Sequence, residues 1–231
     1  MRPQRRLFPI GFVLTVALSI VLFAREASAQ LHWDASVQVG AMKRFLAERP
    51  SGGGDVGFGP TAQLTTHVAL LPLLRVGAYV AHDISPLPGD GSARNITAGG
   101  LRAKGVFPLG PQARAWAFVG FGYAGVFQQS YETTIAMPTG AGTIEARAVR
   151  VEEAGGSFFD VPFGVGASYR LRKPWELCAE LGARTGFGHV GSVYEYPGPQ
   201  VKAAGLPDQN VVPAGLDRFA VGLTLGVLLD L

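Results

Sequence analysis

The sequence predicts an all-β fold, an eight-stranded antiparallel up-and-down transmembrane β-barrel, and three observations predict it. Four long segments alternate strictly between apolar residues and small or polar ones. The connections between segments alternate between short and long. The chain begins with an export signal. A helix repeats every 3.6 residues and a strand every two, so strict alternation marks strands with two unlike faces.

Residues 1–29 have the composition of a cleaved secretory signal peptide. Arg2, Arg5 and Arg6 open it, an apolar stretch runs from Leu7 to Ala24, and Ala27-Ser28-Ala29 supplies the small-residue site. The expected cut lies between Ala29 and Gln30, leaving residues 30–231 as one barrel domain. The signal holds four of the chain's 20 basic residues and one of its 17 acidic ones, so the remainder has no net charge. The basic balance of the whole chain therefore belongs to the signal. Nucleic-acid binding, which needs a basic patch on the folded part, is not expected.

The first strand is read from Leu31, Trp33, Ala35, Val37 and Val39, which alternate with His32, Asp34, Ser36, Gln38 and Gly40. Strands two to five are read at Phe58–Leu71, Leu74–His82, Asn95–Phe107 and Arg114–Tyr131. The last of these carries aromatics on both faces, so alternation does not choose a side for Trp116. The sixth strand sets Phe159, Val161, Phe163, Val165 and Tyr169 against Asp160, Pro162, Gly164, Gly166 and Arg170. The seventh sets Trp175, Leu177, Leu181 and Phe187 against Glu176, Cys178, Glu180 and Arg184. The eighth has Phe219, Val221, Leu223, Leu225, Val227, Leu229 and Leu231 on one face, and mostly small residues on the other. In a membrane barrel the apolar face meets lipid and the second face lines the lumen.

Gaps after strands one, three, five and seven are long, whereas Pro72-Leu73, Pro108–Ala113 and Arg172–Pro174 are short. Short periplasmic turns and long extracellular loops are the rule for such barrels, which places both termini in the periplasm. Trp33, Trp116 and Trp175, with Tyr169 and Phe107, are expected to form an aromatic belt at that interface. Pro60 and Pro162, which lack a ladder donor, are expected near the outer ends of their strands. In the third long loop, Thr133 to Met137 and Thr143–Val151 read as a protruding hairpin around Pro138–Gly142.

Together these features resemble the bacterial outer-membrane β-barrel superfamily that includes the OmpA transmembrane domain and OmpX. The resemblance covers nearly all of Gln30–Leu231. It implies a Gram-negative outer-membrane location, multi-pass, with lipids and the export and barrel-assembly machinery as partners. Phe219–Leu231 is similar to the C-terminal assembly signal of that superfamily, although it ends in Leu rather than an aromatic residue. No further domain is expected after the barrel, which argues against peptidoglycan anchoring.

No catalytic site, metal site or cofactor is expected. His32, His67, His82 and His189 are scattered, and His189 and Ser192 would fall on opposite faces of one strand. Cys178 is read as a buried inert thiol. Gly52-Gly53-Gly54 precedes nothing that resembles a phosphate-binding turn. The inner faces instead offer a lumen charge network of Arg102, Lys104, Asp160, Arg170, Glu176, Glu180 and Arg184. An eight-stranded barrel has room inside for side chains alone, and buried charges there should pair. The expected role is structural or surface-interacting, non-enzymatic and monomeric, with an extracellular partner engaged through the loops. The alternative is a narrow channel or carrier for small solutes or hydrophobic molecules, and an outer-membrane lipid-modifying enzyme ranks behind both.

Overall fold

A computed structural model describes residues 32–46, 57–86, 93–138, 144–194, 200–203, 209–210 and 216–231. The signal segment, its cut site and Gly52–Gly54 lie outside the described residues. Eight strands close into a barrel: β1 (Trp33–Leu46), β2 (Phe58–Leu71), β3 (Leu74–Pro86), β4 (Ala93–Pro108), β5 (Ala113–Gln128), β8 (Ala154–Arg172), β9 (Trp175–Gly191) and β12 (Asp217–Asp230). Four more form a separate sheet in the order β11-β10-β7-β6: β6 (Tyr131–Pro138), β7 (Ile144–Val151), β10 (Gln200–Ala203) and β11 (Gln209–Asn210).

Every barrel pair is antiparallel, and the seam between β1 and β12 closes the ring from Asp34–Asp230 to Leu46–Asp217. Trp33 and Leu231 exchange backbone hydrogen bonds of 3.0 and 2.9 Å below the seam. Closure leaves no edge strand in this sheet, so each wall strand has a neighbour on both sides. Glycines on the inner face let strands coil tightly. A Cβ on Gly40 would overlap the carbonyl oxygen of Leu223 on β12.

The alternation places its two faces as expected. On β12, Phe219, Leu223, Leu225 and Val227 are exposed outside, while Ala220, Thr224 and Leu228 are buried inside. Asp34, Ser36 and Gln38 of β1, with Glu176, Cys178, Glu180 and Arg184 of β9, also point inward and are buried. An apolar exterior around a polar interior is the inside-out arrangement that lipid demands.

At the end opposite Trp33 and Leu231, β1 ends at Leu46, where the expected loop begins, while β3 and β9 run further than expected, to Pro86 and Gly191. The fifth predicted strand ends at Gln128, and Tyr131 opens β6 instead. β6 and β7 form the expected hairpin, from Tyr131–Val151 to Pro138–Ile144, but in the separate sheet with β10 and β11. Trp116 corrects the expected belt, because it faces the lumen and is 3% exposed. Tyr169, Phe107 and Trp175 lie outside, as a belt requires. Pro162 is also placed differently. It is buried well inside β8, and the ladder to β5 omits the Gly120–Pro162 and Phe121–Val161 pairs. The β8–β9 ladder is intact at that point, so the missing N–H of Pro162 faces β5.

Candidate functional site

Inside the wall the buried side chains form tiers. At the end that holds Trp33 and Leu231, three carboxylates collect the cations. Asp34 of β1 accepts hydrogen bonds from Lys104 Nζ at 2.7 Å, from His67 Nδ1 at 3.0 Å, and from Arg75. Asp230 accepts from Arg75, Arg114 and Arg170 at 3.2, 3.0 and 3.1 Å. Glu176 accepts from Arg114 at 2.6 Å, Arg170 at 2.9 Å and Ser168 Oγ at 2.6 Å. Shared carboxylates of this kind neutralise charge that could not be buried singly.

Glu180 organises the next tier. It accepts two bonds from Arg102, of 2.5 and 3.1 Å, one from the Trp116 indole at 2.9 Å, and one from Gln63 at 2.7 Å. The Arg102 guanidinium lies 3.5 Å from the Phe118 ring centroid, and the Lys104 ammonium 5.3 Å from that of Trp116. These inward aromatics therefore serve as cation partners as well as filling. Cys178 is buried beside them with Val106, Trp116, Phe118 and Leu228, an apolar setting for a thiol.

Above Glu180, Asp160 accepts from the Tyr79 hydroxyl at 2.7 Å and from Arg184 at 3.1 Å. Asp83 accepts from Arg44 and Thr61. Beside this tier, Gln63, Arg102, Arg184 and Thr224 border a cavity of about 20 Å³, room for one or two waters.

The mouth at the far end is built differently. Ile96, Ala98, Ala124, Val126, Ala154 and Phe158 form an apolar inner surface on β4, β5 and β8. The turn after β9 folds onto it: Val193 is fully buried and Tyr194 packs alongside. Gly191, at φ 115°, gives the chain the left-handed step that turns it inward. The Tyr194 hydroxyl donates to Asp217 at 2.8 Å and accepts from Arg94 at 3.3 Å, and Arg94 also pairs with Asp217. Burial and the neighbouring Asp217 carboxylate push the Tyr194 phenol above its usual range, which keeps it protonated.

All seven charged residues singled out in the sequence face the lumen, but in different tiers. Arg102 joins Glu180; Asp160 joins Arg184; Arg170 joins Glu176; Lys104 reaches Asp34. Sequence reasoning missed the partners Asp34, Arg44, Arg75, Asp83, Arg94, Arg114, Asp217 and Asp230. It also missed Tyr194, which lay in a predicted loop. His189 Nε2 donates to the Asp217 carbonyl at 2.9 Å, and Ser192 Oγ to the Gly155 carbonyl at 3.1 Å, so each is engaged with backbone. Among the described residues, no cluster of three or more His, Cys, Asp or Glu could hold a metal ion.

No protein-family model matches the chain, and no curated protein does. Solved structures are similar at low identity. Neisserial surface protein A is 12% identical over 86% of this chain and 97% of that one, with a TM-score of 0.48. Ail of Yersinia pestis is 10% identical over 85% and 97%, with a TM-score of 0.41. A major outer membrane protein of Thermus thermophilus is 18% identical over 85% and 99%, with a TM-score of 0.44.

Proposed function

We propose that this chain is a bacterial outer-membrane barrel with a non-enzymatic structural or surface-interaction role. On this reading the short turns and both termini face the periplasm, and the sheet of β6, β7, β10 and β11 faces the outside. The observation that carries the reading is the filled lumen. Among the described residues, ion-pair tiers occupy its length and the Val193–Tyr194 turn packs at its mouth, which supports a lumen filled by side chains. The apolar exterior supports membrane insertion, because every wall strand pairs with a neighbour on both sides within the ring while its outer side chains meet lipid. What such a barrel offers the surroundings is the separate sheet, whose β6–β7 hairpin leaves β5 at Gln128 and returns to β8 at Ala154.

The test is single-channel recording of the refolded chain in a planar bilayer, with folding verified by the gel-mobility shift on heating. A folded, electrically silent barrel is expected. Reproducible conductance steps that vanish on denaturation would overturn the filled-lumen reading in favour of a channel.

A further inference from the structure

We infer that the outer wall at the far end of β1 and β12 is a binding site for the phosphorylated headgroup of a membrane lipid, held by Lys43 and Arg218. The inference rests on the reading of the chain as a membrane barrel. β12 carries a bulge where it meets β1: Phe45 faces Phe219 but Leu46 faces Asp217, so Arg218 is the extra residue. Regular alternation from the buried Ala220 would turn Arg218 into the lumen and Asp217 out of it. The bulge re-aims both. Asp217 points inward to Arg94, while Arg218 and Phe219 stand exposed side by side on the outer wall. Lys43 is on the same wall, between the inward Met42 and Arg44 of β1. Every other described Lys or Arg of the barrel strands pairs inside the lumen, except Arg172 at the turn into β9.

Height and surroundings say what meets these two cations. Ten residues of β1 separate Lys43 from Trp33 at the other end. At about 3.3 Å per residue and a tilt near 40°, that is roughly 25 Å, the height of the apolar band of such barrels. Lys43 and Arg218 therefore stand at the opposite membrane boundary from Trp33, where headgroups begin. Exposed rings surround them on the wall. The Lys43 ammonium lies 5.8 Å from the Phe58 ring centroid. The Phe45 and Phe219 centroids are 6.1 Å apart, and those of Phe163 and Phe219 6.4 Å. No carboxylate among the described residues projects from the outer face of β1, β9 or β12. A positive patch set among apolar rings complements an anionic amphiphile: acyl chains lie on the rings, and the ammonium and guanidinium reach up to the phosphate. Free phosphate would leave the rings unused, and a second copy of the chain would set cation against cation.

The test is native mass spectrometry of the full refolded chain in detergent micelles, with dioleoylphosphatidic acid and dioleoylglycerol as probes. The two share their acyl chains and differ by the phosphate. Phosphatidic acid is expected to be retained about tenfold more strongly than dioleoylglycerol. Lys43→Gln with Arg218→Gln should abolish that preference. Arg172→Gln with Lys173→Gln, in the turn at the opposite end, should leave it intact, and excess inorganic phosphate should not displace the lipid. Folding of each variant is verified by the gel-mobility shift on heating. An unchanged preference in the folded Lys43, Arg218 variant overturns the proposal. So does equal loss in the Arg172, Lys173 variant, which would mark general charge attraction, or displacement by inorganic phosphate, which would mark a free-anion site. A wild-type chain that folds and inserts into phosphatidylcholine vesicles but shows no preference overturns this proposal alone. One that does not insert overturns the membrane-barrel reading, and this proposal with it.

Discussion

Replacing Glu180 by Ala removes one carboxylate and four hydrogen bonds at once. Glu180 is 4% exposed, and its chief partner, Arg102, is 3% exposed and has no other carboxylate in hydrogen-bond contact among the described residues. Truncation therefore leaves a buried guanidinium facing a void, deprives the Trp116 indole of its acceptor and leaves the Gln63 amide only the longer bond to Thr224 Oγ1. Breaking a buried ion pair from one side costs about 3–5 kcal/mol. The cation–π contact of Arg102 with Phe118 survives and moderates the loss. Glu180→Gln keeps the volume and much of the bonding, so it should cost roughly half as much, in the range of about 1.5–3 kcal/mol for a charged hydrogen bond. Urea unfolding in phospholipid vesicles, followed by tryptophan fluorescence, gives the difference. A double replacement, Glu180→Met with Arg102→Met, should recover most of the stability, since apolar residues of similar volume relieve both desolvation penalties. If Glu180→Ala unfolds at the wild-type urea concentration, or if the double replacement is as damaging as the sum of the singles, Glu180 is not the neutraliser of Arg102.

Two further outcomes follow from the packing. Cys178 is buried among Val106, Trp116 and Leu228, so it should resist a maleimide in the folded barrel and react promptly after heat denaturation. Rapid labelling of the folded state would place it elsewhere. Gly40→Ala should destabilise the barrel by about 1–3 kcal/mol, because β1 must move away from the Leu223 carbonyl at the seam. An unchanged urea midpoint would mean that the seam is looser than the close approach of β1 and β12 requires.

The wall was largely legible because lipid and lumen demand opposite chemistry on alternate residues. β2 has the predicted limits, and the phases of β1, β8, β9 and β12 are those read from alternation. β5 was found at Arg114, but which of its faces meets lipid was illegible for a physical reason. Trp116 and Phe118 face inward as partners of Lys104 and Arg102, so apolarity no longer marks the lipid side. The far end of β3 was read as loop because Asp83 interrupts an apolar pattern. Asp83 is an inward residue that pairs with Arg44 of β1. The mouth was illegible altogether: nothing in Ser192–Tyr194 shows that a turn, rather than a wall strand, fills the space beside Gly156.

Which charges meet was illegible for a different reason, and that reason bears on how the barrel holds together. Alternation states which side of the sheet a residue occupies, but its partner depends on closure and on the stagger of strands around the ring. Lys104 and Asp34 are 70 residues apart, Arg114 and Asp230 are 116 apart, and Gln38 and Thr224 are 186 apart. None of these bonds can form within a hairpin. Hairpins such as β2–β3 and β8–β9 need only local pairing, whereas the Gln38–Thr224 bond requires β12 to have reached β1. These cross-lumen bonds therefore stabilise the closed ring, whereas Arg170–Glu176 and Arg184–Asp160 lie within the β8–β9 hairpin and do not depend on closure. A sheet without that network would keep its strand pairs and its apolar face but would lack the cross-lumen bonds that distinguish a closed barrel from a curled one.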